Sequence, residues 1–404
     1  MDSKTPKFTK ALAEILDNLK PHTKQCQECQ KDFEIMAEDI EFYKKLQVPP
    51  PTLCWECRLQ RRMAYRPSFA PTFYKKTCSA LGHTEKIISV FAEKNPVKVY
   101  DDKYYLSDQW EATEFAVDFD AGKNFFEQYK NFALAVPHQT LYKDPNSINS
   151  DYVISGVEAK NCYFVSIPYL SENIYYGYLP VMSKDSILIN SCQGVEKCFD
   201  SASSRKCYEC ISLINSSDCL QSSFLYDCKN CQNCFMSVNL RNKSYVFKGQ
   251  QLSKEKYQER IKEINLGSRD TYQELKNEFD ILIKKAIKRD VLNIKTEKVI
   301  GSDNINSCKG YYIFGLIGVS ENNRYSMSAD TLADSLDIYG AVKSVEMYNT
   351  TTITGGHQII CSAVIRVGLN LEYCIECNNC ENCFACFGLK NKKYHIFNKA
   401  YFKE

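Results

Sequence analysis

The stretch from Cys228 to Phe235, Cys-Lys-Asn-Cys-Gln-Asn-Cys-Phe, returns from Cys377 to Phe384 as Cys-Asn-Asn-Cys-Glu-Asn-Cys-Phe, an offset of 149 residues. The same offset carries Ser171-Glu172-Asn173 onto Ser320-Glu321-Asn322. More than half of the chain reads as one unit written twice, with a finer step inside each copy. Asn161, Asn173, Asp185, Lys197, Lys206, Asp218 and Asn230 fall into one column spaced by twelve residues, with a single step of nine. Gly310, Asn322, Asp334, Lys343, Gly355, Val367 and Asn379 do the same in the second copy, with the short step moved by one. A fixed short period means that each repeat buries its apolar side against its neighbours, which is the mark of a solenoid.

Asn and Asp accept the bent backbone of a corner, and small or β-branched neighbours stack into strand ladders. The fold class expected is therefore mainly β. An N-terminal zinc ribbon is followed by two duplicated right-handed parallel β-helix blocks joined by a helical hairpin. A coil of 12 residues and a coil of 21–24 residues both satisfy the spacing. Whether the Cys column or the aromatic column after it (Tyr163, Tyr175, Phe199, Tyr208) points inward stays open, because a one-residue slip exchanges the faces.

The expected domain order is an amphipathic helix over 1–22, a zinc ribbon over 23–68 and a mixed α/β segment over 69–143, read as a degenerate second ribbon. Solenoid copy one follows over 144–250, then a helical hairpin over 251–300 and solenoid copy two over 301–404. Pro6 opens the first helix, with Phe8, Leu12, Ile15, Leu16 and Leu19 at helical spacing. In the hairpin, Gly267 stops one helix, and Thr271-x-x-Glu274 reads as a capping box for the next. An amphipathic hairpin at that place is expected to plug the open end of the first solenoid. The second copy breaks off at Ala400–Glu404, where the first begins its hairpin, so a longer native chain is expected.

Twenty-one cysteines in 404 residues is a high count. No apolar leader opens the chain, no run is long enough to span a membrane, and the cysteine number is odd. A reducing, cytoplasmic setting follows, with thiols free or bound to metal. The net charge of +2 gives no general pull toward nucleic acid or membrane.

Cys26-x-x-Cys29 and Cys54-x-x-Cys57 form two knuckles whose four thiolates suit one closed, tetrahedral, structural Zn2+, against the alternative of four ordinary buried thiols. Between them, Asp39–Lys45 reads as one or two helical turns. Straight after the last ligand, Arg58, Arg61, Arg62 and Arg66 share one side of a helix. They read either as a phosphate-facing strip or as a solvated face paired with the acids near Glu38–Glu41. Cys374, Cys377, Cys380, Cys383 and Cys386 recur every third residue; stacked core thiols and a soft-metal site both fit. Cys78, with Asp101–Tyr104, reads as a second ribbon that keeps one of four ligands and is not expected to bind metal. No phosphate loop, dinucleotide fingerprint, nucleophile elbow or zincin helix is present.

Three stretches carry a resemblance: Val48-Pro-Pro-Pro-Thr-Leu-Cys54-Trp-Glu-Cys57-Arg58-Leu-Gln-Arg61-Arg62, Ser107-Asp-Gln-Trp110, and the Asn-Cys repeats that end at Asn391–Lys399. With them the chain resembles a group of uncharacterised zinc-ribbon proteins from small-genome, candidate-phylum bacteria. The resemblance implies a fuller second ribbon, from which Leu81, Asp101 and Tyr104 depart. Some of that group carry a coenzyme A-transferase label, which no residue pattern here supports. The expectation is a non-enzymatic zinc-binding scaffold or adaptor, contacting nucleic acid, a ribosome or a protein partner through the ribbon and Arg strip. The alternatives are a β-helical protein that binds or modifies a glycan or envelope component, and a metal-handling protein using the C-terminal Cys run.

Overall fold

A computed structural model describes residues 6–63, 72–291, 293, 295–297 and 374–402, together with short strand pieces between 308 and 368. The N-terminal unit is α1 (Pro6–Asn18), a β1–β2 hairpin (His22–Gln25, Asp32–Ile35), α2 (Ala37–Leu46) and α3 (Trp55–Met63). Only Leu12 and Leu16 of the expected α1 stripe are buried, against Ile35, Ile40 and Tyr43; Phe8 and Ile15 face out. The helix between the knuckles runs ten residues, longer than one or two turns.

A second hairpin, β3 (Tyr74–Thr77) with β4 (Lys86–Ser89), is followed by β5 (Val99–Tyr100), α4 (Asp102–Leu106), α5 (Phe125–Ala135) and β6 (His138–Gln139). The solenoid comes next: β7 (Val153–Ile154), β8 (Tyr163–Ser166), β9 (Glu172–Tyr178), β10 (Lys184–Asn190), β11 (Phe199–Ala202), β12 (Ile211–Ile214), β13 (Ser223–Tyr226), β14 (Phe235–Val238) and β15 (Val246–Phe247). Each pairs in parallel with the next, and the register is twelve residues from Val153↔Val165 to Phe235↔Phe247. The coil is therefore 12 residues, and the 21–24 alternative is removed.

Every third residue from Ser155 to Lys248 takes a positive φ near 50°, for example Lys197, Asp200, Ser203 and Lys206. Four such bends make one coil. Left-handed backbone costs an L-residue roughly 1 kcal/mol or more, and Asn and Asp bear it best. That explains the Asn/Asp column, and it also corrects its register. The unbroken column is Asn149, Asn161, Asn173, Asp185, Lys197, Glu209, Gln221 and Asn233, as the Glu209 N–H to Glu196 carbonyl bond and its equivalents show. Lys206, Asp218 and Asn230 belong to a neighbouring corner. A shift of nine keeps the three-residue phase, so residues of one corner and the next share the same kinds of side chain.

The residue after each bend points inward. Cys192, Val195, Cys198, Cys207, Cys210, Leu213 and Cys219 are all buried, while Tyr163 and Tyr175 face out. The choice of Cys and Ser has a hydrogen-bond cause. The backbone N–H of an inward residue reaches the side chain one coil back: Cys198 N–H donates to Ser186 Oγ (3.0 Å), Cys228 N–H to Ser216 Oγ (3.2 Å) and Leu240 N–H to Cys228 Sγ (3.4 Å). The same groups donate to nearby carbonyls, Ser186 Oγ to Lys184 at 2.7 Å and Cys198 Sγ to Glu196 at 3.4 Å. A short side chain that both donates and accepts satisfies a buried amide in a narrow interior.

The ladder ends where β16 (Gln250–Gln251) folds back antiparallel on β15. Helices α6 (Lys254–Lys262) and α7 (Arg269–Lys285) then lie along the flank of the late coils. Phe279 packs on Phe224 and Phe235, Tyr272 reaches Ser212 Oγ at 2.7 Å, and Lys276 pairs with Asp200. The hairpin thus covers a side, and the turned-back strand closes the end, contrary to the expected plug. The α7 cap is Ser268, whose Oγ accepts the Thr271 N–H at 3.3 Å, one turn earlier than the expected capping box.

Residues 374–402 form a ladder of the same kind. Ile375↔Phe387, Asn378↔Lys390 and Phe384↔Ile396 pair in parallel at twelve, and Ile396 turns back antiparallel on Lys399. Shorter parallel pairs at twelve occur at Cys308↔Ser320 and Met347↔Ile359. The two ladder ends match at the 149 offset: Phe247↔Gln250 with Ile396↔Lys399, and the Asn230–Asn242 amide bond with Asn379–Asn391, both 2.7 Å. The C-terminal coils are covered by α5 and the 97–115 segment. Phe132 packs on Phe387 and Phe397, and Trp110 lies with Cys374, Cys377 and Leu389 in one core.

Candidate metal centre

The four cysteines of the two knuckles meet. Their sulfurs all lie within 4.8 Å of one another, and Cys29 Sγ is 3.7 Å from Cys54 Sγ. The first knuckle is the turn of the β1–β2 hairpin. Cys26 N–H donates to the Lys31 carbonyl at 2.9 Å, and the turn closes through Gln30 at φ 62° with its N–H on the Cys26 carbonyl. The second knuckle is the start of α3, where Cys54 directly precedes the helix and Cys57 is its third residue. Burial opposes the Cys26 thiolate, but N–H groups of Cys29, Cys54 and Glu28 outweigh it and bring the thiol down to about 6. Burial drives the Cys54 and Cys57 thiols up. Four soft donors in a closed shell fit one metal ion and leave no vertex for water.

The Arg strip is corrected by burial. Arg58 is turned inward, and its Nη1 donates to the Leu53 carbonyl at 2.5 Å. Arg62 is 2% exposed. Arg61 is exposed but pairs with Glu28 of the first knuckle at 3.0 Å. Arg66 lies outside the described residues. These side chains support the knuckles and do not form a strip open to phosphates.

Cys374, Cys377, Cys380, Cys383 and Cys386 are buried, and each donates to a carbonyl, as Cys380 Sγ does to Asn378 and Leu389 at 3.4 Å. Among the described residues, no three of these sulfurs come within 4.8 Å of one another. They pack as the interior of a coil, buried like the inward cysteines of the first ladder. The triplet spacing that suggested a soft-metal site is the coil's own inward period.

Two features were not read from the sequence. His138 and Glu376 form a buried pair at 2.9 Å. Cys78, His83 and Glu85 bring their ligand atoms within 4.8 Å of one another. His83 and Glu85 carry no Cys-x-x-Cys signature, and only the hairpin register places them beside Cys78.

On this geometry the class is a cysteine-rich β-solenoid protein with a four-thiol site able to hold a metal ion. No family model matches the chain, no curated protein matches its sequence, and no solved structure matches its fold. Among the described residues, no helix is long and apolar enough to cross a membrane.

Proposed function

We propose that this protein is a non-catalytic, zinc-stapled scaffold of the cytoplasm, built on two duplicated solenoid blocks, that offers the outer face of its early coils to a protein partner. The observation carrying this reading is an apolar face that, among the described residues, stays exposed along most of its length, Phe73 packing only on its first rings, Tyr152 and Phe164. Phe164, Tyr176 and Leu188 are exposed and continue, at twelve-residue spacing, into Asp200, Ser212 and Phe224, which α7 covers. Tyr163, Tyr175 and Ile187 form the adjacent exposed column. An exposed contiguous apolar patch of this kind marks an interaction surface. The precedent for its occupant lies in the same molecule, where the apolar side of a helix fills the next part of the face.

Zinc is supported by the all-sulfur, closed donor set. The buried guanidinium groups of Arg58 and Arg62 on the helix of Cys57 offset the negative charge that four thiolates and a divalent ion carry together. A nucleic-acid partner loses its support with the burial of those two arginines. A second reading, a glycan ligand, is favoured by one feature: a groove of about 290 Å³ beside Tyr152, Tyr163 and Tyr175, lined also by Asn149, Asp151 and Asn161.

A photo-crosslinking residue at position 176 tests the proposal in cells. Protein adducts that disappear when Tyr163 and Tyr175 are changed to Ser support a protein partner. Binding on a glycan array with the same sensitivity supports the second reading. Salt-dependent RNA binding indifferent to both substitutions overturns the assignment of the face.

A further inference from the structure

We propose that Cys78, His83 and Glu85 form a second metal site, open on one side, that takes a borderline divalent ion such as zinc. The framework around them repeats that of the four-thiol centre. Cys26 directly follows β1, and Cys78 directly follows β3. Lys31 directly precedes β2 and takes the Cys26 N–H on its carbonyl at 2.9 Å; Glu85 directly precedes β4 and takes the Cys78 N–H at 3.1 Å. Cys54 precedes α3 with Cys57 as its third residue, and Asp101 precedes α4 with Tyr104 as its third. The segment is thus a ribbon whose other three ligand positions hold Leu81, Asp101 and Tyr104.

Those three do not ligate. Leu81 is 96% exposed, Asp101 caps α4 by accepting the Lys103 N–H at 2.9 Å, and the Tyr104 ring packs on the His83 ring at 4.8 Å. The turn of this hairpin is two residues longer than that of the first, and Gly82 at φ 81° supplies its left-handed step. The added length returns His83 toward Cys78. The imidazole Nδ1 lies 2.5 Å from Glu85 Oε1, so one carboxylate and one imidazole are already held beside the buried thiol.

Sulfur, nitrogen and oxygen donors together match zinc rather than magnesium or calcium. Three protein donors leave a fourth vertex to water or a small ligand, unlike the closed four-thiol centre. Binding is a proton exchange: the ion enters, Cys78 gives up its thiol proton to solvent, and the imidazole binds through a nitrogen that carries no proton. An ion held this way exchanges more readily than one caged by four thiolates.

Metal analysis of the full-length protein, saturated with Zn2+ and desalted, tests the site. Two equivalents are expected, falling to one in each of His83→Ala, Glu85→Gln and Cys78→Ser. The Cys57→Ser variant should lose the other equivalent. His83 and Glu85 lie at the surface, so their variants keep the fold even where Cys78→Ser does not. Cobalt substitution gives an independent readout, because a mixed-donor tetrahedral ion differs from a four-sulfur one in its ligand-field bands. One equivalent in the intact protein, lost with Cys57→Ser alone, overturns the second site and leaves the first standing. A second equivalent that survives His83→Ala and Cys78→Ser also overturns it. No bound metal overturns both.

Discussion

His138 Nδ1 lies 2.9 Å from Glu376 Oε1, joining residues 238 apart in sequence, and its Nε2 lies 3.0 Å from the Ala133 carbonyl. Both ring nitrogens face acceptors, so the ring is held as an imidazolium. Glu376 also takes the Gln139 N–H at 3.3 Å. The pair fastens β6 to the C-terminal coils. Burial works against the charged imidazole, but Glu376 outweighs it and raises the His138 pKa; burial likewise opposes the Glu376 carboxylate, and His138 outweighs it to lower that pKa.

A pH dependence follows from those signs. A histidine whose folded pKa is raised contributes stability fully below its ordinary value of 6.5, and loses it as pH rises through the folded value. Glu376, lowered, contributes above its ordinary 4.5 and loses it as pH falls. Nearby Asp102, raised from its ordinary 3.8 to about 6 by burial despite Lys143, adds a penalty that grows as pH rises from about 4 to 6 and stays constant above that. The melting-temperature difference between the protein and His138→Gln should therefore be largest between about pH 5 and 6.5 and shrink toward pH 9. Breaking such a pair costs on the order of 3 kcal/mol. A difference independent of pH would refute the charged pair.

Removing the metal should unfold one unit only. Cys29→Ser or a strong chelator is expected to expose residues 22–63 to proteolysis, because that unit has a small core of its own. The solenoid should keep its far-ultraviolet dichroism. Loss of both together would show that the ribbon is needed for the coils.

Interior thiols should tolerate oxygen but not carbon. Cys228 donates to the Tyr226 carbonyl at 3.5 Å and accepts the Leu240 N–H at 3.4 Å. Serine keeps both roles, so Cys228→Ser should change stability by less than about 1 kcal/mol. Cys228→Val loses both and crowds the coil, at about 2–3 kcal/mol by denaturant unfolding. Equal effects would mean that volume alone governs the interior.

The corner residues carry a different constraint. Asn230 bends at φ 51° and its amide donates to Asn242 at 2.7 Å. Asn230→Gly should cost about one side-chain hydrogen bond, whereas Asn230→Val adds left-handed strain of about 1–2 kcal/mol. Unfolding midpoints that rank valine above glycine would contradict the bend.

On the covering of the flank, Phe279→Ala should cost about 3–5 kcal/mol, since the ring is fully buried against Phe224 and Phe235. Hydrogen exchange in α7 should quicken before exchange in β11 or β12. Uniform exchange would mean that helix and coils unfold as one.

Local chemistry made much of this fold legible. The twelve-residue step of Asn161, Asn173 and Asp185 is fixed by backbone bends that favour certain side chains, and Cys26, Cys29, Cys54 and Cys57 carry their spacing in the chain itself. The inward column was not legible, because Cys162 and Tyr163 are neighbours and only the sense of the bend separates them. Nor was the register at Lys197 and Lys206, since a period of three hides a move from corner to corner.

What the sequence alone determined was the repeat, the mainly β class and the four thiols that gather. Tertiary structure decided that Arg58 and Arg62 turn inward, that α7 lies along a flank and that His138 finds Glu376. Periods and knuckles are short-range, set by backbone sterics over a few residues. Burial and pairing across hundreds of residues depend on which surfaces are left to be covered once the coils have stacked.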